Sequence, residues 1–191
     1  IHRYNLLKLY HKHHTDKTAP LSKFSVLPAV TIQIPLYNEL HVATRVIEAT
    51  TKLDYPRDRL HIQDLDDSTD QTQKYASDCC ARLTQKGFDI VYQHRNHRLG
   101  YKAGALASAL KTVNTPLILV LDADFIPPAN LLKKTAHYFS DPKVGMVQTR
   151  WGHLNRTHSI LTRIQSIFLD GHFVIEHTAR SSSGRFFNFN G

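Results

Sequence analysis

Apolar positions along the chain fall into short runs of two kinds, and the two kinds take turns. "AVTIQI" (29–34), set between Pro28 and Pro35, is rich in β-branched residues and reads as a strand. Residues 40–53 then space apolar side chains at helical intervals as far as "DYP". "RLHIQDL" (59–65) reads as a second strand, 70–86 as a second helix stopped by Gly87, and "FDIVY" (88–92) as a third strand. A helix of strong formers, "KAGALASALKTV" (102–113), leads into "LILVL" (117–121), the fourth strand. Pro128 opens a helix to residue 139, "VGMVQTR" (144–150) reads as a fifth strand, and an amphipathic helix fills 158–180. Strands alternating with helices predict an α/β domain with a mainly parallel sheet.

Residues 1–19 stand apart from this pattern. They mix Arg3, Lys8, Lys12 and Lys17 with Tyr4 and Tyr10. Two readings are open, a solvated amphipathic helix or a segment against the cytosolic face of a membrane, where basic and aromatic side chains favour the interface. "PLSKFSVLP" (20–28), with a proline at each end, reads as a linker. No apolar run approaches the roughly 20 residues that a bilayer span needs. The chain opens on Ile1 and stops at "FFNFNG", so the expectation is a fragment of a longer protein.

Polar clusters follow three of the strands at the same edge: "PLYNE", "DDSTD" and "DADF". Parallel sheets bind ligands beyond the carboxyl ends of their strands. Asp122 and Asp124, two apart on an extended segment, point the same way. Like charges so placed need a cation, a shared proton or water. Taken alone they could be a solvated turn; three such clusters at one edge favour a binding site.

A net charge of +8 over 191 residues points to anionic partners and excludes few others. Arg and Lys are scattered, without zinc-finger spacing or an RNA-binding aromatic signature, so nucleic acid is not expected. "HKHH" (His11, His13, His14) and "HRNH" (His94, His97) lack zinc-ligand spacing. Cys79 and Cys80 are adjacent in a predicted helix, which argues against a structural disulfide and for a reduced, cytosolic setting. Neither GxGxxG nor GxxxxGK[ST] is present to cradle phosphate. A basic protein with an acidic wall can hold phosphate through a hard divalent cation instead. Asp122 and Asp124 would then bind Mg²⁺ or Mn²⁺, and the metal a diphosphate.

Six segments in order, "IPLYNE", "DDSTD", "GYKAGAL", "DADF", "VGMVQTRWGHLNR" and "SGRFFNFNG", resemble the family 2 processive glycosyltransferases, in the cellulose-synthase-like and glucomannan-synthase-like branch. The likeness runs from about Tyr4 to Gly191. It implies a GT-A nucleotide-sugar-binding, Rossmann-like α/β fold over 29–191, preceded by a juxtamembrane segment and linker over 1–28. It implies inverting transfer of a hexose from a UDP- or GDP-sugar to a glycan or lipid-linked acceptor, in β-glucan or mannan synthesis. The parent would be a membrane protein, anchored by segments outside this chain, with this domain on the cytosolic face.

By the same resemblance Pro35, Tyr37 and Glu39 border the base, and Asp66 contacts base or ribose with Asp67 beside it. Lys102 lies at the nucleotide, and Asp122 and Asp124 at ribose or diphosphate and metal. Phe189, Asn190 and Gly191 fall on the acceptor side. No catalytic base is assigned, because the family's "TED"-like and "QxxRW" motifs are absent from the chain. Tyr37 reads equally as a base platform or a core edge, and Trp151 as a sugar platform or packing. Two rivals remain: a non-catalytic nucleotide-sugar-binding module, and a phosphohydrolase with a DxD nucleophile, which would want Thr or Val where Ile126 stands. Asp64 occupies a strand position that ordinarily takes an aliphatic side chain, and nothing in the motifs accounts for it.

Overall fold

The computed structural model describes residues 2–16 and 19–185. The chain divides into two compact units, one of residues 20–145 and one formed by 1–19 with 146–191.

The first unit is built on four parallel strands, β1 (Val30–Leu36), β2 (Leu60–Asp66), β3 (Ile90–His94) and β4 (Leu117–Val120), in the order β3-β2-β1-β4. Side-chain alternation gives the sheet two unlike faces. Val30, Ile32, Ile34 and Leu36 of β1, with Ile62 of β2, pack against Val46 and Ile47 of α2 (Ala43–Thr50) and Cys79, Cys80 and Leu83 of α3 (Thr72–Gln85). The opposite face carries Thr31, Gln33 and Gln63, polar yet buried. They are satisfied between strands and by the loop ahead of β4: Gln33 Nε2 donates to Gln63 Oε1 at 2.9 Å, Gln63 Nε2 donates to Thr112 Oγ1 at 3.0 Å, and the Thr31 and Thr115 hydroxyls bond at 2.7 Å. Leu65 on that side packs with Ala105 and Ala109 of α4 (Tyr101–Leu110). Cys79 and Cys80 are both free thiols.

Three expectations are corrected. β3 begins at Ile90 rather than at 88 because Phe88 closes the end of α3. Gly87, at φ +80°, donates to Thr84 O and Phe88 N donates to Leu83 O, a left-handed helix stop that only then releases the chain into the sheet. Residues 144–150 form no strand; Gly145 interrupts the run, and it finds no row of backbone partners among the described residues. Residues 20–28 are not a free linker but are tied to the sheet unit. Tyr55 Oη donates to Pro28 O at 2.6 Å, an Arg59 Nη donates to Leu27 O at 2.9 Å, and Phe24 N meets His137 Nδ1 at 3.0 Å.

The helix predicted over 128–139 is one α-helical turn, α5 (Leu131–Thr135), continued as a 3₁₀ helix over Ala136–Ser140. In the second unit, α1 (His2–His13) and a helical run over 160–182 are the main elements. That run is α6 (Ile160–Asp170), a π-helical segment (Gly171–Glu176) and α7 (His177–Ser182). A reciprocal Ser159–Thr162 capping box starts it. Trp151 lies 5.5 Å from the Phe173 ring, a packing role within this unit. Among the described residues no helix is long and apolar enough to cross a membrane.

Candidate donor site

The carboxyl ends of the strands are stitched into one rim. The turn after β1 places Asn38 at φ +54°, a left-handed conformation that asparagine tolerates better than most residues. Asn38 N donates to Ser68 Oγ at 2.8 Å, and Thr69 N donates to Asn38 Oδ1 at 2.9 Å, joining "PLYNE" to "DDSTD". Leu121 N donates to Gln33 O at 3.0 Å and carries the β1–β4 pairing up to Asp122.

A pocket of about 310 Å³ opens at this rim. Pro35, Tyr37, Glu39, Asp67, Lys102, Asp122 and Asp124 all line it, so seven of the sequence-predicted residues converge. Lys102 Nζ lies 2.5 Å from Asp122 Oδ1, while Asp124 is exposed. An adjoining pocket of about 420 Å³ runs on toward Ser68, Gln73, His94 and His97, sharing Tyr37, Asp67 and Arg98 with the first. Phe189, Asn190 and Gly191, expected on the acceptor side, lie outside the described residues.

Asp66 does not join the pocket, contrary to its expected contact with base or ribose. It is wholly buried, its Oδ1 accepting from Ser68 N at 2.8 Å and its Oδ2 from Tyr92 Oη at 2.7 Å. Its carboxylate shapes the turn behind the wall, and Asp67, one residue past the strand end, reaches the cleft. Asp64 lies two residues back on the same face of β2. Its Oδ2 accepts from the Cys80 thiol at 3.4 Å and its Oδ1 has no hydrogen-bond partner. Burial, opposed by the Cys80 bond and reinforced by Asp66, pushes the Asp64 pKa up to about 8. Burial, then the bond to Asp66, likewise raises the Tyr92 phenol.

Two arginines that the sequence reading did not single out line the two pockets. Arg98 places its guanidinium 3.2 Å from the centroid of the Tyr37 ring, a cation–π contact on the shared wall of the two pockets. Arg95 grips Asp67 through Nε and an Nη, at 2.7 and 2.5 Å. The usable signal was "HRNHRLG": His94 ending a strand and Arg95, His97 and Arg98 directly after it, at the edge where the acids gather. The turn that follows is strained. Gly100 sits at φ +73° and Tyr101 at φ +49°. For an aromatic residue such a conformation costs on the order of 1–3 kcal/mol and persists only where surrounding contacts hold the backbone.

Asp122 and Asp124 both line the pocket and offer carboxylate oxygens, the donor type that hard divalent cations take. They do not fit a closed all-protein centre, since no group of three or more His, Cys, Asp or Glu able to hold a metal occurs among the described residues.

The sequence model described as "Glycosyl transferase family 2" matches residues 31–185. Glucomannan 4-beta-mannosyltransferase 2 of Arabidopsis thaliana is 41% identical over 183 residues, 93% of this chain and 34% of that protein. Probable glucomannan 4-beta-mannosyltransferase 7 of Oryza sativa subsp. japonica is 43% identical over 169 residues, 86% of this chain and 29% of that protein. The chain thus spans about a third of the length of these relatives. In structure it is similar to a mannosyltransferase from Pyrobaculum calidifontis solved in complex with GDP-Man and Mn²⁺. The TM-score is 0.65 at 28% identity, over 75% of this chain and 42% of that one.

Proposed function

The chain belongs to glycosyl transferase family 2 and has a GT-A α/β fold, and from that premise we propose that it forms the donor half of an inverting hexosyltransferase. The donor is a nucleoside diphosphate sugar, with GDP-mannose the best supported, and the product a β-mannan or glucomannan. The observation that carries this reading is one cleft in which Asp67, Asp122 and Asp124 face Lys102 and Arg98. Such a mixture suits a diphosphate with a cation, and two adjoining pockets suit its length.

In this reading Pro35 and Tyr37 give the base flat apolar surface, with the Arg98 guanidinium on the Tyr37 ring. Lys102 supplies a point charge toward the diphosphate, whose departing oxygens collect the electrons of the broken anomeric bond. Asp122 and Asp124 would hold Mg²⁺ or Mn²⁺, which when bound neutralises charge building on the leaving group. An acceptor hydroxyl, glycan or lipid-linked, attacks from the opposite face and inverts the centre, its proton passing to a general base that is not assigned among these residues.

The parent protein is read as membrane-held, with this part in the cytosol. What supports this is charge: residues 1–19 and 146–191 contain nine Lys and Arg against three Asp and Glu, net +6 of the chain's +8.

The test uses the full-length parent with GDP-mannose, UDP-glucose and a β-mannan oligosaccharide, in Mn²⁺ and in chelator. GDP-mannose turnover is expected, with GDP binding strengthened by Mn²⁺ and that gain lost in Asp124→Asn. Equal GDP affinity with and without metal refutes the metal reading. Binding with no transfer to any acceptor makes the protein a binding module instead.

A further inference from the structure

On the wall of the adjoining pocket Arg95 touches more than its acidic partner. Its own N–H donates to Asp66 O at 3.0 Å, which fixes the backbone one residue past β3. Its guanidinium then bonds three groups at once. Nε and one Nη hold Asp67, the same Nη donates to Tyr101 O at 3.1 Å, and the other Nη donates to Leu99 O at 3.4 Å. The Arg95 side chain is 14% exposed and that of Asp67 4%, so these charge-assisted bonds form largely out of water.

The two carbonyls belong to the strained turn at Gly100 and Tyr101. Tyr101 is the first residue of α4 and Lys102 the second, so the turn decides where the lysine points. Gly104 completes the arrangement from the helix side. A Cβ there would lie 2.0 Å from Leu99 O and 3.2 Å from an Arg95 Nη. Glycine inside a helix is unfavourable by propensity, and here the closeness of the turn demands it. A simple ion pair would need Asp67 alone. The fork, the carbonyls and the glycine together describe a clamp.

We propose that Arg95 is a positioning residue of the donor site, holding Asp67 and the 98–101 turn as one piece so that Lys102 meets the diphosphate beside Asp122. This rests on the donor-site reading above. A lysine at 95 would keep the charge but lose the planar fork, and it cannot bond Asp67 at both oxygens and both carbonyls together.

The experiment is a double-mutant cycle on the intact protein, Arg95→Lys against Lys102→Met, with GDP affinity measured by calorimetry in Mn²⁺ well below each melting midpoint. Each single variant is expected to lose roughly tenfold in affinity, the scale of one charge-assisted hydrogen bond. If Arg95 acts through Lys102, the double variant binds within about twofold of Lys102→Met alone, because coupled sites do not add. A purely structural role would multiply the two losses, and that result overturns the proposal, as does wild-type affinity in Arg95→Lys. Wild-type affinity in Lys102→Met instead overturns the donor-site reading. Gly104→Ala presses on the clamp from the other side with the ion pair intact. It should show the same loss and the same non-additivity with Lys102→Met, and it carries the test should Arg95→Lys fail to fold.

Discussion

Asp64→Asn should flatten the protein's loss of stability between about pH 5 and pH 8. Asp64 is fully buried on β2, paired in register with Ile34 on one side and Tyr92 on the other. It faces the Cys80 thiol of α3 and the Asp66 carboxyl of its own strand, with one oxygen unpartnered. Burial raises its pKa from 3.8 to about 8. At pH 7 the folded protein therefore keeps the proton, whereas an unfolded chain releases it near pH 4. The folded state binds more protons across this window, so stability falls as pH rises through it. The slope is about 1.4 kcal/mol per pH unit for one proton, on the order of 5 kcal/mol across the whole window, and it levels off above the folded value. An amide has no proton to lose, so Asp64→Asn removes this slope. Urea unfolding of both proteins at pH 5, 6, 7 and 8 gives the comparison. The difference in stability should move toward the variant by about 1.4 kcal/mol with each unit. Parallel curves for the two proteins would refute the reasoning, because they would mean that Asp64 is ionised in the fold.

Other expectations follow from the same network. Tyr92→Phe takes the donor from Asp66 Oδ2 in a buried setting and should cost about 1–3 kcal/mol, read as a lower urea midpoint. Asp67→Asn strands the Arg95 guanidinium and should cost about 3 kcal/mol. Asp54→Asn breaks a similarly short but exposed pair with Lys133 and should cost less than about 1 kcal/mol, so thermal melts of the two variants separate burial from distance.

Much of the sheet unit is legible in the sequence because each strand carries its own punctuation. Pro28 stands just ahead of β1, which runs on through Pro35 to Leu36 instead of stopping before it, and the "DYP" and Gly87 breaks set off β2 and β3. The polar face of the sheet escapes that reading, since Thr31, Gln33 and Gln63 look solvated until their partners, each other and the loop ahead of β4, are known. The site divides in the same way. Tyr37, Lys102, Asp122 and Asp124 stand next to strand ends or a helix start, and their motifs place them at once. Asp66 and Asp67 cannot be told apart by spacing. Which faces the cleft depends on where β2 stops, and β2 ends on Asp66. Arg95 is hidden for another reason: its role is set by three partners, the nearest of them four residues away.

The π-helical segment has a consequence for how this chain is matched to others. Across Gly171–Glu176 the backbone spends more residues per turn than an α-helix does, and His177 N bonds back to His172 O, five residues earlier. Each surplus residue turns everything downstream by about 100°. The exposed apolar row of α6, made by Ile160, Ile164, Ile167 and Phe168, therefore cannot be extended by counting into α7, where His177 and Ala179 turn inward. An alignment with a relative whose helix is α throughout must open its gap inside the helix, between 171 and 176, and one that moves the gap to a neighbouring loop will pair inward-facing positions with outward-facing ones.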